Sequence, residues 1–339
     1  MTAFIELFLP GLVGVPGRLL ESLAPEPANA VLADTLKRSD ALQLPSGRYA
    51  PLAGWLGCAR PPIAALQAYA CGRNQGSGLL LATPTHLQAG MDDLVMMPPE
   101  LIEMTAAERT SLAQSLREYF DESPELVVKG DSWFLDAGHL DINTVPLHDA
   151  IGCSVRPNLP QGADATRVHA WMNEMQMALH AAAANHEREI QGQPPVNGVW
   201  LWGEGELPES PPESLRQSGF AGRPGRLDIA AGFANWLSAP HSTELPASDN
   251  CFVVDATVSD ALDAERFERW RTLRDEAVTR WLEPALQRLR EGSVDEIRLY
   301  PGDGRQHRLA RGDLKKFWRG WRSKPAATSA ESRNDEESL

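Results

Sequence analysis

Hydrophobic residues along the chain fall into short runs that predict buried strands between amphipathic helices. The run from Phe4 to Leu9 carries one acid, Glu6, and ends at Pro10-Gly11, so it predicts a buried strand followed by a turn. Similar runs predict strands at 79–82, 94–97, 126–128, 133–135, 199–202, 251–256 and 297–300. Because strands alternate with helices in the second half, the pattern favours an α/β sheet covered by helices.

Two long segments place apolar residues at three- and four-residue spacing. In segment 164–190 the apolar stripe includes Val168 and Trp171, which predicts one continuous amphipathic helix. Segment 263–290 shows the same periodicity and predicts a second long helix with a kink at Pro284.

Shorter signals mark the ends of other elements. The proline pair before residue 63 and the glycine at position 72 predict a helix over 63–71. Thr105 is a favourable N-cap, and Glu108 stands three residues later as its capping-box partner. Residues 206–226 are rich in Pro, Gly, Ser and Glu, and this composition predicts a surface loop.

The domain organisation predicted from these patterns is simple. We expect residues 1–322 to form an α/β core, within which about 40–160 form a smaller N-terminal α+β lobe. The polar segment 323–339 has few apolar residues and is expected to be a disordered tail.

The charge distribution excludes some classes of partner. The chain carries 32 Lys and Arg against 46 Asp and Glu, a net charge of -14, which disfavours specific nucleic-acid binding. Segment 305–324 is the exception, because its only acid is Asp313. Its apolar residues Phe317 and Trp318 suit a terminal helix docked on the core, and the alternative is a site for an anion or a partner.

The cysteines and the hydropathy pattern indicate a cytoplasmic protein. The chain has four cysteines, Cys58, Cys71, Cys153 and Cys251. They form no C-x-x-C pair, so reduced thiols are more plausible than a zinc site or a disulfide framework. No apolar window reaches the roughly 18 residues of a membrane span, and Glu6 interrupts the apolar N-terminus.

Candidate binding residues cluster around the strand predicted at 199–202, which leads into Gly203-x-Gly205. Six side chains there supply hydrogen-bond donors or charge: Asn173, His180, Asn185, Arg188, Asn197 and, as an outside candidate, His86. Arg188 is suited to hold a phosphate or a carboxylate, and the glycines leave backbone N–H groups accessible. The alternative is that these side chains only fix the connection between a helix and the strand.

The same stretch resembles a known enzyme family. The resemblance to archaeal-type cofactor-independent phosphoglycerate mutases rests on Asn185, Arg188, Gly192, Asn197, Trp200-Leu201-Trp202-Gly203 and Gly205. A wider pattern is similar to the RpfE-type regulatory proteins. It adds Leu9-Pro10-Gly11-Leu12, Ala82-x-Pro84-x-His86-Leu87, Asn173-Glu174-x-Gln176-Met177-x-Leu179-His180 and Phe317-Trp318-Arg319.

The resemblance implies an alkaline-phosphatase-like fold, and in the mutases this fold holds two divalent metals through Asp and His. Three of the expected ligand clusters are missing here, although Asp255, Asp260 and Asp303 stand near their places. We therefore expect a regulatory protein on a catalytically degenerate scaffold, with no cofactor and no metal pair, that binds an anionic small molecule or a protein partner. The alternative is an active metal-dependent mutase or phosphohydrolase with a rearranged site.

Overall fold

Thirteen strands are present in the part of the chain that the structure, a computed structural model, describes: residues 2–13, 29–45, 47–90, 93–118, 124–263 and 266–315. The strands are β1 (Phe4–Phe8), β2 (Asp40–Gln43), β3 (Leu79–Thr85), β4 (Leu87–Ala89), β5 (Leu94–Met96), β6 (Glu125–Lys129), β7 (Ser132–Asp136), β8 (Gly198–Trp202), β9 (Gly219–Arg223), β10 (His241–Ser242), β11 (Cys251–Asp255), β12 (Glu296–Tyr300) and β13 (Arg305–Ala310). All eight strands predicted from the apolar runs are confirmed.

The helices of the described residues surround these strands. They are α1 (Ala30–Arg38), α2 (Ala50–Leu56), α3 (Ile63–Ala70), α4 (Ala106–Arg117), α5 (Leu147–Ala150), α6 (Ala165–Ala181), α7 (Ala183–Ile190), α8 (Glu213–Arg216), α9 (Ile229–Leu237), α10 (Thr257–Asp263), α11 (Phe267–Ala277) and α12 (Glu283–Glu291). The predicted capping box of α4 is confirmed, because Glu108 N–H donates to Thr105 Oγ1 and Thr105 N–H donates to Glu108 Oε2.

A seven-stranded sheet forms the centre of the molecule, in the order β10-β9-β11-β1-β12-β13-β2. The first five of these strands run parallel, and β13 and β2 are antiparallel to their neighbours. Side chains of β1 alternate between the two faces, as the two-residue period of a strand requires. Ile5 and Leu7 face a core cluster shared with α11 and α12, whereas Glu6 lies on the other face.

A second sheet has four antiparallel strands in the order β6-β7-β3-β8. It lies on the side of the main sheet that carries Glu6, and helices separate the two sheets. Helices α3 and α9 lie between the sheets, and α4, α6 and α7 cover the far side of the second sheet. The mixed α/β architecture expected from the sequence is confirmed. The second sheet takes β8 from beyond residue 160, so it extends past the predicted 40–160 lobe.

Of the two predicted long helices, the first is wrong as a continuous element, whereas the second is continuous from Phe267 to Glu291. Segment 164–190 is divided into α6 and α7 at Ala182, whose backbone is extended (φ -70°, ψ 130°). The second helix begins at Phe267 rather than 263, and a π-helical turn, Val278–Leu282, precedes Pro284. The wider turn accommodates the proline, which lacks the N–H of a regular helix.

The prediction that residues 206–226 form a surface loop is also wrong. This segment contains β9, an inner strand of the main sheet. Its glycine content reflects close packing, because a Cβ added to Gly222 would lie 2.2 Å from Val254 O. The predicted basic helix and tail beyond residue 315 lie outside the described residues. No helix in the described ranges is long and apolar enough to cross a membrane.

Candidate functional site

Four of the six predicted site residues fix backbone connections around β8. The Asn185 amide donates to the carbonyls of Leu179 and Val196 and accepts from Val196 N–H, each at 2.7–2.8 Å. The Asn197 amide pairs with both backbone groups of Leu87, at 2.7 and 2.9 Å. These contacts replace missing backbone partners, which is a structural role.

Arg188 and His86 are likewise engaged with the protein. The Arg188 side chain is 2% exposed, and its guanidinium donates to Pro194 O, Glu103 O and Glu108 Oε1. His86 Nδ1 lies 2.8 Å from Pro195 O. These contacts account for the N-x-x-R and N-x-x-W spacing as a joint between α7 and β8.

The two remaining predicted residues, Asn173 and His180, are exposed on α6. None of the six residues lines the cleft described below. Ligand binding by these six residues stays a prediction.

The glycines after β8 do not lie at the ligand-binding edge of a parallel sheet, where the sequence pattern placed them. Strand β8 pairs antiparallel with β3 at the edge of the second sheet, so it does not end at the ligand-binding edge of a parallel sheet. The Gly203 N–H donates to Thr144 Oγ1 at 3.1 Å, and its carbonyl accepts from Ala64 N–H at 2.9 Å. Gly203 itself nevertheless lines a large cleft.

We call this space the central cleft; its volume is about 790 Å³. Its walls come from β1 and β12 of the main sheet, from α2, from residues 143–146 and from the end of β8. Aromatic side chains form much of the lining: Phe4, Tyr49, Trp55, Trp202, Phe252 and Tyr300. A cleft of this size and apolar lining is typical of a site for a small organic ligand.

Glu6 is the buried polar centre of the central cleft. Its carboxylate accepts from Tyr300 OH at 2.6 Å, from Arg298 Nη1 at 2.7 Å and from Trp55 Nε1 at 3.2 Å. Burial raises the pKa of Glu6, and these donors offset only part of the increase. Burial and the adjacent Glu6 charge raise the pKa of Tyr300, so its hydroxyl stays protonated and donates.

The more exposed part of the lining carries two further guanidinium groups. Arg60 is 37% exposed and donates to Ile142 O, and its Nη2 lies 3.8 Å from Asp141 Oδ1. Arg48 forms an ion pair with Asp149 at 3.3 Å. Arg298 is almost as exposed, at 35%, but it is paired with both Glu6 and Glu296. The carboxylate beside Arg60 lies 3.8 Å away, so Arg60 is the cation of the cleft best placed to meet an anion from solvent.

A relay of three polar side chains, of which Tyr49 and His148 are buried and Asp260 is half-buried, leads away from the central cleft. Tyr49 OH lies 3.2 Å from His148 Nδ1, and His148 Nε2 lies 3.4 Å from Asp260 Oδ1. Burial by itself would raise the pKa of Asp260, but His148 and Arg226 outweigh it and hold that pKa below its usual value. The relay therefore ends in an ionised carboxylate and fixes Tyr49 in the cleft wall.

The three acids that stand near the expected metal positions are all engaged with protein donors. Asp255 is fully buried and accepts from Arg223 Nε at 2.6 Å, Trp281 Nε1 at 2.7 Å and Thr257 Oγ1 at 2.6 Å. Thr257 N–H also donates to it, which occupies the roughly four acceptor positions of a carboxylate. A cation at Asp255 would have to displace Arg223.

The other two acids are bound in separate places. Asp260 accepts from Arg226 N–H at 2.6 Å, and Asp303 lies 2.8 Å from His307 Nε2. Among the described residues, no group of three or more His, Cys, Asp or Glu side chains is arranged to share a metal ion. The side chains at these positions thus do not fit the two-metal centre that the resemblance implies.

Comparison with known proteins supports a distant similarity to the mutases. No family model matches the chain. It is 37% identical over 71 residues to a probable 2,3-bisphosphoglycerate-independent phosphoglycerate mutase of Geobacter sulfurreducens, and 35% identical over 80 residues to such a mutase of Methanothermobacter thermautotrophicus. These segments are 21% and 23% of this chain, and they span only 18% and 20% of the two relatives.

Two solved structures are similar over most of the chain, at low identity. One is a cofactor-independent phosphoglycerate mutase from Thermoplasma acidophilum, with a TM-score of 0.39, 18% identity and coverage of 92% of this chain and 90% of that one. The other is the PH0037 protein from Pyrococcus horikoshii, with a TM-score of 0.44, 15% identity and coverage of 90% and 85%. Neither likeness is close enough to specify a function. The narrower resemblance to RpfE-type regulatory proteins stays a prediction.

Sequence reasoning missed most of the central cleft. Tyr49, Arg60 and Arg298 come from three separate segments that no local motif connects. One signal was present: Glu6 is a lone acid inside an apolar strand, and a buried acid requires partners. The matching partner, Arg298, occupies the equivalent register position on the neighbouring strand β12.

Proposed function

We propose that this protein is a regulatory protein that recognises an anionic small molecule in the central cleft and does not transfer phosphoryl groups. The observation that carries the proposal is the state of Asp255. This carboxylate is fully buried and saturated, and its positive partner is the Arg223 guanidinium. A side chain held in this way serves stability, whereas two-metal phosphoryl transfer requires carboxylates available to cations.

The anionic character of the ligand follows from the charges that face the central cleft. The carboxylate beside Arg60 lies 3.8 Å away, whereas Arg298 is paired with Glu296 and neutralises Glu6. Glu204 accepts from Thr144 N–H and Thr144 Oγ1. The resemblance to RpfE-type proteins supports a regulatory role, and the cleft supports recognition of a ligand.

The test is a calorimetric titration of organic anions, each paired with an uncharged analogue of the same shape. The panel contains 3-phosphoglycerate, phosphoenolpyruvate and 2-naphthoate. We expect at least one anion to bind about tenfold or more tightly than its uncharged analogue, and Arg60→Gln to remove most of that preference.

The matched control is Arg290→Gln, an exposed arginine on α12, which covers the opposite face of the main sheet. It should leave the preference for anions unchanged. The proposal would be overturned if the affinity did not depend on the charge of the ligand. It would also be overturned if Arg60→Gln left the preference for anions unchanged. Interconversion of phosphoglycerates by the purified protein would instead support an active mutase.

A further inference from the structure

We propose that the ligand of the central cleft is a planar aromatic anion that also carries a hydrogen-bond donor, rather than a three-carbon phosphoester. This inference rests on the proposed function, because it names the ligand class for the same site. Three observations carry it: the size of the cleft, the geometry of its aromatic walls and the polarity gradient between Glu6 and Arg60.

The size of the cleft favours a ring system. Its volume of about 790 Å³ lies in the range of roughly 300–1,000 Å³ that is typical of pockets for larger organic ligands. A three-carbon phosphoester would fill only a small part of this space. A ligand with one or two fused rings fills more of the space and takes its own apolar surface out of water, which is favourable in proportion to that area.

The aromatic walls are held rigidly. Tyr49 stacks on Trp202 with ring centroids 6.1 Å apart and an interplanar angle of 23°, and the hydroxyl of Tyr49 is fixed by His148. Trp55 contacts Phe252 edge to face at 4.8 Å. Rings that are already ordered lose little entropy on binding, and the parts of them that border the cleft give a ligand a rigid apolar contact.

The polar groups of the cleft differ in depth. Glu6 is 4% exposed and uses three described donors, so about one of the four acceptor positions of its carboxylate is left for a ligand hydroxyl or N–H. Arg60 is 37% exposed and is suited to a carboxylate or sulfonate. A ligand with a hydrogen-bond donor at one end and an anionic group at the other would match both the Glu6 carboxylate and the Arg60 guanidinium.

A larger side chain at Gly54 is expected to narrow the cleft without disturbing the fold. Gly54 lines the cleft within α2, and a Cβ added there meets no atom within 4 Å. Gly54→Leu should fold, because leucine favours the helix more than glycine does. Gly312 has equally open surroundings and does not line the cleft, so Gly312→Leu is the matched control.

The experiment is isothermal titration calorimetry with 6-hydroxy-2-naphthoate, 2-naphthoate and 3-phosphoglycerate. We expect 6-hydroxy-2-naphthoate to bind most tightly, with about a tenfold advantage over 2-naphthoate that Glu6→Gln reduces. Gly54→Leu should abolish binding, and Gly312→Leu should not. Thermal unfolding of each variant separates lost binding from lost folding.

The outcomes distinguish this inference from the proposed function. If 3-phosphoglycerate binds more tightly than both naphthoates and depends on Arg60, the aromatic class is wrong while anion recognition stands. Naphthoate binding that survives Gly54→Leu would place the ligand elsewhere and would overturn the inference. If none of the three anions binds to the folded protein, both proposals fail.

Discussion

Buried charged groups occur in two regions of this molecule, and the regions use them differently. At the end of β11, Asp255 directs all its acceptor positions at protein donors. The cavity next to this strand end is lined by two of those donors, Arg223 and Thr257, and not by Asp255 itself. In the central cleft, Glu6 is equally buried, but it lies against open volume. The comparison teaches that burial alone does not mark a site; a cavity beside the charged group is also required.

The same contrast bears on the resemblance to phosphoglycerate mutases. The end of β11 is where the resemblance implies metal chemistry, and there an arginine neutralises the acid. The central cleft lies on the face of the sheet, between the two sheets. Under the proposed function the protein uses the central cleft to recognise a ligand and does not use the strand end for phosphoryl transfer, and the following predictions test this distinction.

The largest expected effect on stability is at the end of β11, around Asp255. Arg223→Ala leaves the Asp255 carboxylate buried without its positive partner, so the free energy of unfolding should fall by about 3–5 kcal/mol in urea denaturation. Asp34→Ala, which removes an exposed ion pair with Arg38, should cost less than about 1 kcal/mol. A small loss for Arg223→Ala would contradict the structural role of this pair.

The next effect concerns the joint between α7 and β8. Asn185→Ala removes three buried hydrogen bonds and should lower the free energy of unfolding by about 2–3 kcal/mol. Asn173→Ala, on the exposed face of α6, should change it by less than about 0.5 kcal/mol. Loss of ligand affinity in folded Asn185→Ala, measured by calorimetry, would show that the joint belongs to the binding site.

Two glycine substitutions compare how much space is available for an added side chain near the end of β11 and in the central cleft. Gly11 has φ +90°, and a Cβ there would lie 2.7 Å from Ser259 N, so Gly11→Ala should destabilise the protein by about 1–3 kcal/mol. Gly54→Ala, in the open central cleft, should stabilise it by about 0.5–1 kcal/mol. Thermal unfolding measures both changes, and equal effects would mean that the regions do not differ in packing.

The smallest expected effect is a change of the free energy of unfolding with pH. Burial raises the pKa of Glu6, so the folded state holds this proton more tightly than the unfolded state does. The stability of the wild type relative to Glu6→Gln should therefore be highest below the ordinary value of 4.5 and decline as the pH rises through the raised pKa. Urea unfolding across this range tests the sign, and a relative gain with rising pH would contradict it.

The local elements were predictable from sequence because their signals are short-range. The capping box of α4 and the apolar strands β1, β8, β11 and β12 depend on neighbouring residues alone. Strand β9 was missed because Gly219 and Gly222 indicate a turn locally, although their small size serves close packing against neighbouring segments. The break at Ala182 has no Pro or Gly to mark it.

The candidate site was harder to predict because its residues meet only through tertiary packing. The conspicuous Asn185, Arg188 and Asn197 stand close in sequence, and they hold the backbone. Glu6 and Arg298 are 292 residues apart and meet because β1 and β12 are adjacent in the sheet. Strand order is a property of the whole fold, and no local pattern specifies it.

The most direct measurement of the central claim is the metal content of the purified protein, combined with a phosphoglycerate mutase assay in the presence of Mn²⁺. The account predicts that no pair of tightly held metal ions is recovered and that 3-phosphoglycerate is not converted to 2-phosphoglycerate. Two bound metal ions per chain, together with turnover that Asp255→Asn abolishes, would contradict it.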